Sequence, residues 1–370
     1  MKIVFISPSY YPHIGGVEYV VKSIAERLAR LGHEVTVLAG EPNIDKPTEK
    51  IINGVKVIRW PTRSPGGAYH APRRRAELEK LLKELAREAD IIHIHSVHAI
   101  FSVISGLNIG SDTRSSKLVV TPHYHGGGHT TIRKLLWTYW RRNVVKLLSL
   151  ANVVHAVSKR EASLIANHYP HVEEKIVIIP NGVEEDVFNY KWRGQNSDYM
   201  IYAGRIEKYK RLELAIDIAK EMGLRMLIVG RGPYKEKLVK YANKVYRDSV
   251  EFLEPQPRAK YLELLSRARY AINPSKHEAF SIFIAEALAT GTPAIVSKEV
   301  AENLDAETKL FSKGLVVAEN VSIKTWCEVV KLYLENIYRL DELDETISQL
   351  ELDLVNNDKQ WYAKQISRLI

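Results

Sequence analysis

At 370 residues, 45% of them hydrophobic and 26% charged, the chain has the length for two domains that each bury a core, and a composition that excludes a disordered or fibrous protein. A single cysteine, Cys327, excludes a disulfide framework or thiolate metal cluster and fits a reducing compartment, and no apolar stretch is long enough for a membrane-crossing helix. The formal charge of +9 is uneven: residues 1–172 carry 24 Lys and Arg against 13 Asp and Glu, the remainder 29 against 31, so the first half either faces an anionic partner (a membrane surface, a lipid phosphate or nucleic acid) or presents a solvated basic face.

Residues 2–7 read as a buried strand rather than a signal peptide. A loop ending in Gly15-Gly16 follows. Val17, Val20, Val21, Ile24, Ala25 and Leu28 then recur at helical spacing up to Gly32, and 34–39 is the next strand. Paired glycines at the carboxyl end of a strand lie where open parallel sheets bind ligands, and glycine lets backbone amides approach a phosphate, although a plain turn uses the same residues. Further strands are expected at 55–60, 90–95, 117–121, 152–157 and 176–179, with a basic helical stretch over 73–89. Helical patterns between strands predict a parallel, doubly wound sheet.

Histidines gather at 93, 95, 98, 123, 125 and 129. They fit loop histidines bonded to backbone, or a metal site, although no carboxylate or cysteine has ligand-like spacing nearby. The following stretch, 131–146, mixes cations with aromatics on one helix. That suits a membrane interface, and equally a helix packed on the sheet. Pro180-Asn181-Gly182 is a strong turn signal, and the acidic-to-polar run 184–197 reads as a linker.

A second set of strands is expected at 199–203, 225–229, 249–253, 269–273, 293–297 and 314–318, so the fold class is α/β with two doubly wound sheets facing across a cleft. Gly204-Arg205 through Lys210 places two cations after the first of these strands. Gly230-Arg231-Gly232-Pro233 is a turn after the second. Glu278 falls in a loop, and Glu286, eight positions on, in the helix that follows. Ser281 can cap that helix, and Gly291 can end it with Pro293 beyond. Its first-turn amides would form an anion site. An anion flanked by two carboxylates that accept hydroxyls is what a sugar nucleotide requires. A helix entrance with two solvated glutamates reads the same way.

Glu278-x7-Glu286 followed by Ala-Leu-Ala-x-Gly291-x-Pro293 resembles the nucleotide-sugar site of the retaining GT-B glycosyltransferases of family four (glycosyl transferases group 1), and the resemblance spans essentially the whole chain. It implies two Rossmann-like domains, here 1–185 and 195–350, with a final helix over 355–370 returning to the first. It implies transfer of a sugar from a UDP- or GDP-linked donor to a hydroxyl acceptor, a glycan or lipid-linked, with retention and with no metal or other cofactor. Arg205 and Lys210 match the family's donor-phosphate cations, and His123, in Thr121-Pro122-His123, its sugar-contacting histidine, with His125 the fallback. Glu278 would hold donor-sugar hydroxyls and Glu286 the ribose. Gly15, Gly16, Gly230, Gly232 and the amides of Ser281 and Ile282 would line the donor. A cytoplasmic protein is expected, able to touch an anionic membrane through its basic half; nucleic acid is not the partner expected.

Departures from the family pattern stand at Arg211, where Gly is usual, at Ala279 and Ser281, at Arg231 and Glu254, and over 297–302, which lacks a glycine pair. They leave room for a sugar-nucleotide epimerase on the same scaffold, or a non-catalytic sugar-nucleotide or nucleic-acid binder.

Overall fold

In a computed structural model of the protein the described residues are 1–13, 15–65, 70–110, 116–127, 131–304 and 315–318. They divide into two compact units, one of residues up to Pro180 and one beginning at Asn181.

The first unit runs β1 (Lys2–Ser7), α1 (Gly16–Arg30), β2 (Glu34–Glu41), β3 (Thr48–Ile52), β4 (Val55–Arg63), β5 (Ala71–Pro72), α2 (Arg75–Glu88), β6 (Ile91–His95), α3 (Ile100–Ile109), β7 (Lys117–Thr121), α4 (Thr131–Leu150), β8 (Val153–Ala156), α5 (Lys159–His168) and β9 (Ile176–Ile178). Its sheet has the order β3-β4-β2-β1-β6-β7-β8-β9, with β5 attached to β4. All pairs are parallel except β3 and β5, which run antiparallel to β4. The apolar run of β1 is buried from Ile3 to Ile6, and α1 covers the sheet with Val20, Val21, Ile24, Ala25 and Leu28. Each Val, Ile or Leu among them contributes about 2 kcal/mol when fully buried. Because β1 pairs with both β2 and β6, the strand order reverses there, and the loops leaving β1 and β6 carry Gly15-Gly16 and Ser96.

The second unit runs β10 (Tyr199–Ala203), α6 (Leu212–Glu221), β11 (Arg225–Val229), α7 (Lys235–Val245), β12 (Val250–Leu253), α8 (Arg258–Arg267), β13 (Tyr270–Asn273), α9 (Ile282–Thr290), β14 (Ala294–Ser297), α10 (Lys298–Asn303) and β15 (Leu315–Ala318). Its sheet is parallel, in the order β12-β11-β10-β13-β14-β15. The reversal falls between β10 and β13, and ligands of doubly wound sheets bind at such a switch point. Helix α9 is buried from Phe283 to Thr290, as its all-round apolar sequence requires.

The expected strands are present in both units, and both are Rossmann-like. Two strands were not expected. β3 is an exposed, charged edge without alternation, and β5 is two residues long. The stretch 184–197 is not a bare linker. It forms a 3-10 turn at Glu185–Asn189, buries Val187, and ties Trp192 Nε1 to the Ala268 carbonyl at 2.9 Å. Cys327, His129, and the tail expected as a helix over 355–370 lie outside the described residues.

Candidate active site

The loop leaving β10 and the loop leaving β13 meet at the switch point. The first closes in a 3-10 turn at Lys208–Lys210, and Lys276 N donates to the Tyr209 carbonyl at 3.0 Å. Lys210 Nζ donates to Glu278 Oε1, with only 11% and 14% of the two side chains exposed. Burial alone would pull the Lys210 ammonium down; the Glu278 carboxylate outweighs it and holds the ammonium above its usual range. Asn273, at the end of β13, donates from Nδ2 to Glu278 Oε1 at 3.2 Å and to Ser281 Oγ at 2.9 Å. Asn303 Nδ2 donates to the Glu278 carbonyl at 2.9 Å. Sequence reasoning missed both asparagines, because nothing in their spacing distinguishes them from turn residues.

Arg205 lies on the same loop as Lys210 but pairs with Glu207 at 2.6 Å and keeps its side chain half exposed. Glu286 is buried. Its carboxylate accepts from Arg258 Nη1 and from the Tyr261 hydroxyl, the latter at 2.6 Å, while Arg258 also grips Asp186 at 2.9 and 3.0 Å. Arg258, Tyr261 and Asp186 carried no sequence signal.

Ser281 stands at the N-cap of α9, but its side chain does not cap the helix; the hydroxyl accepts from Asn273 instead. Gly291 ends α9 at φ +81°. Arg211, where a glycine was expected, has φ +52°, so the loop keeps a left-handed residue at that point. Its Nε donates to the Pro274 carbonyl, which anchors the strained residue to the second loop. Gly230 and Gly232 have a packing reason of their own. A Cβ would lie 1.9 Å from the Gly204 carbonyl oxygen at one and 2.1 Å from the Ile206 carbonyl oxygen at the other. Arg231 and Glu254 depart from the family pattern together and pair with each other, with Lys235 on the same carboxylate at 2.7 Å.

In the first unit Gly15 is the N-cap of α1 and Gly16 its first residue. A Cβ on Gly16 would meet nothing within 4 Å, whereas one on Gly15 would meet the Glu18 carboxylate. His123 is 8% exposed, with φ +48° and its Nε2 3.1 Å from His95 Nδ1. Behind it His155 Nε2 lies 2.7 Å from the Ile179 carbonyl. Only a donor satisfies that contact, so the neutral ring accepts at Nδ1 from Thr121 Oγ1, 2.8 Å away, and Thr121 in turn accepts from His93 Nε2 at 2.7 Å. Burial pushes all four imidazoles down, His123 to about 3 and His155 to about 4, so they are neutral at pH 7.

The histidine cluster is thus a ladder of two hydrogen-bonded runs, His93–Thr121–His155 and His95–His123, with the His93 and His95 rings 4.2 Å apart between centroids. Among the described residues no three His, Cys, Asp or Glu side chains are arranged to hold a metal. His125 is not on the ladder; it stacks on His98 with ring centroids 4.2 Å apart. Glu161 pins the residue after His123. It is fully buried, accepts from the amides of Tyr124 and Val157, and is raised to about 7 by burial against the pull of those amides.

Helix α4 packs on the unit with one side, as one of its two sequence readings expects. Trp137 stacks on His98, Trp140 Nε1 donates to the Val97 carbonyl at 3.0 Å, and Val144, Leu147 and Leu148 are buried. Its other side exposes Leu135, Leu136 and Tyr139, followed by Arg142 and Lys146.

Residues 14–187 match the family described as Glycosyltransferase Family 4, and residues 184–349 match Glycosyl transferases group 1. An uncharacterised glycosyltransferase of Methanocaldococcus jannaschii is 28% identical, over 80% of each chain. The GDP-mannose:cellobiosyl-diphosphopolyprenol alpha-mannosyltransferase of Xanthomonas oryzae is 25% identical, over 80% of this chain and 78% of that one. Among solved structures, Anabaena HepE in complex with UDP-glucose superposes with a TM-score of 0.75 at 16% identity, covering 99% of this chain and 100% of that one. Sucrose-phosphate synthase from Thermosynechococcus elongatus gives 0.73 at 16% identity, over 99% of each. At such identities the structures show a shared fold.

Proposed function

The chain belongs to the family-four glycosyltransferases of GT-B fold, and on that premise we propose that it moves a sugar from a nucleotide diphosphate donor to a hydroxyl acceptor with retention and without a metal. The observation that carries this is the buried Lys210–Glu278 pair beside the N-terminus of α9, whose own cap residue leaves its amides open. Arg205, Lys210 and the α9 amides at Ser281 and Ile282 receive the diphosphate. Glu286 takes the ribose and Glu278 the sugar hydroxyls. His123, neutral, donates to or accepts from the sugar, and Gly15, Gly16, Gly230 and Gly232 line the donor. The bond from the anomeric carbon to the diphosphate oxygen breaks. The acceptor oxygen bonds to the face the diphosphate leaves, and its proton departs with the diphosphate.

The acceptor is a growing glycan or a lipid-linked one. The exposed Leu135, Leu136 and Tyr139 of α4, with Arg142 and Lys146, support docking on the cytoplasmic face of an anionic membrane. The name of the Xanthomonas relative, with GDP-mannose and a diphosphopolyprenol, supports a lipid-linked acceptor. Thermal unfolding with UDP, GDP and ADP in turn tests the donor. A ligand at 100 times its dissociation constant adds about 2.7 kcal/mol to the native state, and the matching nucleotide is expected to raise the melting temperature. No shift with any of the three, beyond that of salt, refutes the donor assignment.

A further inference from the structure

We propose that Asn273 is a positioning residue that keeps the N-terminus of α9 uncapped by holding the Ser281 hydroxyl away from the helix amides while it aims Glu278. The proposal rests on the donor-diphosphate assignment given above. Asn273 is 2% exposed. Its amide orientation is fixed by its neighbours. Glu278 Oε1 is acceptor-only and faces Nδ2, and the Ser275 amide, a donor, faces Oδ1 at 3.3 Å. The two Nδ2 hydrogens are therefore spent on Glu278 and on Ser281 Oγ. One amide thus spans the loop from its start to the helix entrance.

Two other N-cap serines of the chain do cap their helices, one of them while its hydroxyl also donates to a carbonyl, Ser297 to that of Ser275 at 2.6 Å. Ser158 accepts from the Glu161 amide at 3.0 Å at the start of α5, and Ser297 accepts from the Val300 amide at 3.4 Å at the start of α10. Ser281 makes no such bond; its ψ is 90°, against 159° at Ser158 and 161° at Ser297, and its hydroxyl is turned to Asn273 instead. The side chain that draws this hydroxyl away from the helix is Asn273. Its pull leaves the amide of Ile284, the third residue of α9, without the partner a serine cap provides. An open first turn carries the positive pole of the helix and donors for an anion. A capped one would meet the diphosphate with a hydroxyl already in place.

Three variants test this: Asn273→Ala, Ser281→Ala and the double. Hydrogen exchange at the Ile284 amide, without ligand, reads the cap directly. It is expected to slow in Asn273→Ala, as the released Ser281 closes on it, and to return to the wild-type rate in the double variant. Ser281→Ala alone leaves that rate unchanged, because the hydroxyl does not cap the wild-type helix. Binding of UDP, GDP and ADP is expected to weaken about tenfold in Asn273→Ala and to recover most of that loss in the double variant. Turnover stays low in both, since Glu278 has lost its amide. Unchanged Ile284 exchange in Asn273→Ala overturns the proposal, and so does a double variant that binds no better than Asn273→Ala. If the wild type binds none of the three nucleotides, the donor assignment fails, and the exchange measurement still decides whether Asn273 holds off the cap.

Discussion

Lys210 and Glu278 lie 68 positions apart and close one ion pair where the second sheet reverses its strand order. The pair is nearly closed from solvent, so removing one member leaves the other charge uncompensated. Lys210→Met is expected to cost about 3 kcal/mol of stability, read by urea unfolding. Glu278→Gln keeps the volume and is expected to lower turnover by about 10²-fold with a modest loss of nucleotide binding. Unchanged turnover in Glu278→Gln refutes its place at the sugar.

Arg211 supplies the left-handed turn that a glycine would give without strain. Its guanidinium on the Pro274 carbonyl offsets a backbone cost of about 1 kcal/mol. Arg211→Ala keeps the strain and loses the bond, so it is expected to be the less stable of two variants, with Arg211→Gly closer to wild type. Equal melting temperatures for the two would show that the residue is not strained there.

The strands were legible because both faces of a parallel sheet are buried, so each strand reads as a short apolar run between glycine and polar breaks. The carboxylates, cations and glycines stood at motif spacings near strand ends, and the structure brings Lys210 to Glu278. The partners that hold them were not legible. Asn303, Arg258 and Tyr261 reach across 25 to 28 residues and Asn273 across one loop, and hydrogen bonds of that kind leave no periodicity. The polar run 184–197 looked like a linker because its anchors are a few scattered residues, Asp186, Val187 and Trp192, in an otherwise solvated stretch.

The glycines separate into two kinds, which substitution can tell apart. Gly230 has φ +151° and no room for a Cβ, so Gly230→Ala is expected to lower the melting temperature strongly. Gly16 has room and lies at the start of α1, so Gly16→Ala is expected to change stability by less than about 1 kcal/mol. A fall in turnover with Gly16→Ala at wild-type stability would place substrate against that amide. Wild-type turnover would remove Gly16 from the site.

The buried histidines set a pH dependence. In the unfolded chain each imidazole takes its proton near pH 6.5. In the folded chain His155 resists protonation down to about 4 and His123 down to about 3. Between these values the unfolded state binds more protons, so stability is full above pH 6.5 and is lost as the pH falls toward 4. The slope is at most about 1.4 kcal/mol per pH unit for each histidine. Urea midpoints from pH 7.5 to 5 are expected to fall accordingly, and more shallowly for His155→Asn. An identical slope in that variant would show that His155 is not held neutral.

Helix α4 carries its charge on the side that its tryptophans leave to solvent. Trp137 and Trp140 fix the helix to the unit from one side, so Leu135, Leu136 and Tyr139 cannot turn inward without breaking those contacts. Arg142 and Lys146 follow one and two turns on, and the helix has no acidic residue. A cation near an anionic surface contributes about 1 kcal/mol, and an exposed aromatic suits the headgroup layer. Co-sedimentation with phosphatidylserine vesicles at low salt is therefore expected for the wild type and is expected to drop about tenfold or more for Arg142→Glu/Lys146→Glu. The double variant should keep the wild-type melting temperature, since neither side chain is buried. Tyr139→Ser is expected to weaken binding further at high salt, where charge is screened and apolar insertion remains. Equal sedimentation of wild type and Arg142→Glu/Lys146→Glu would leave α4 a packing helix only and send the search for the basic half's partner elsewhere.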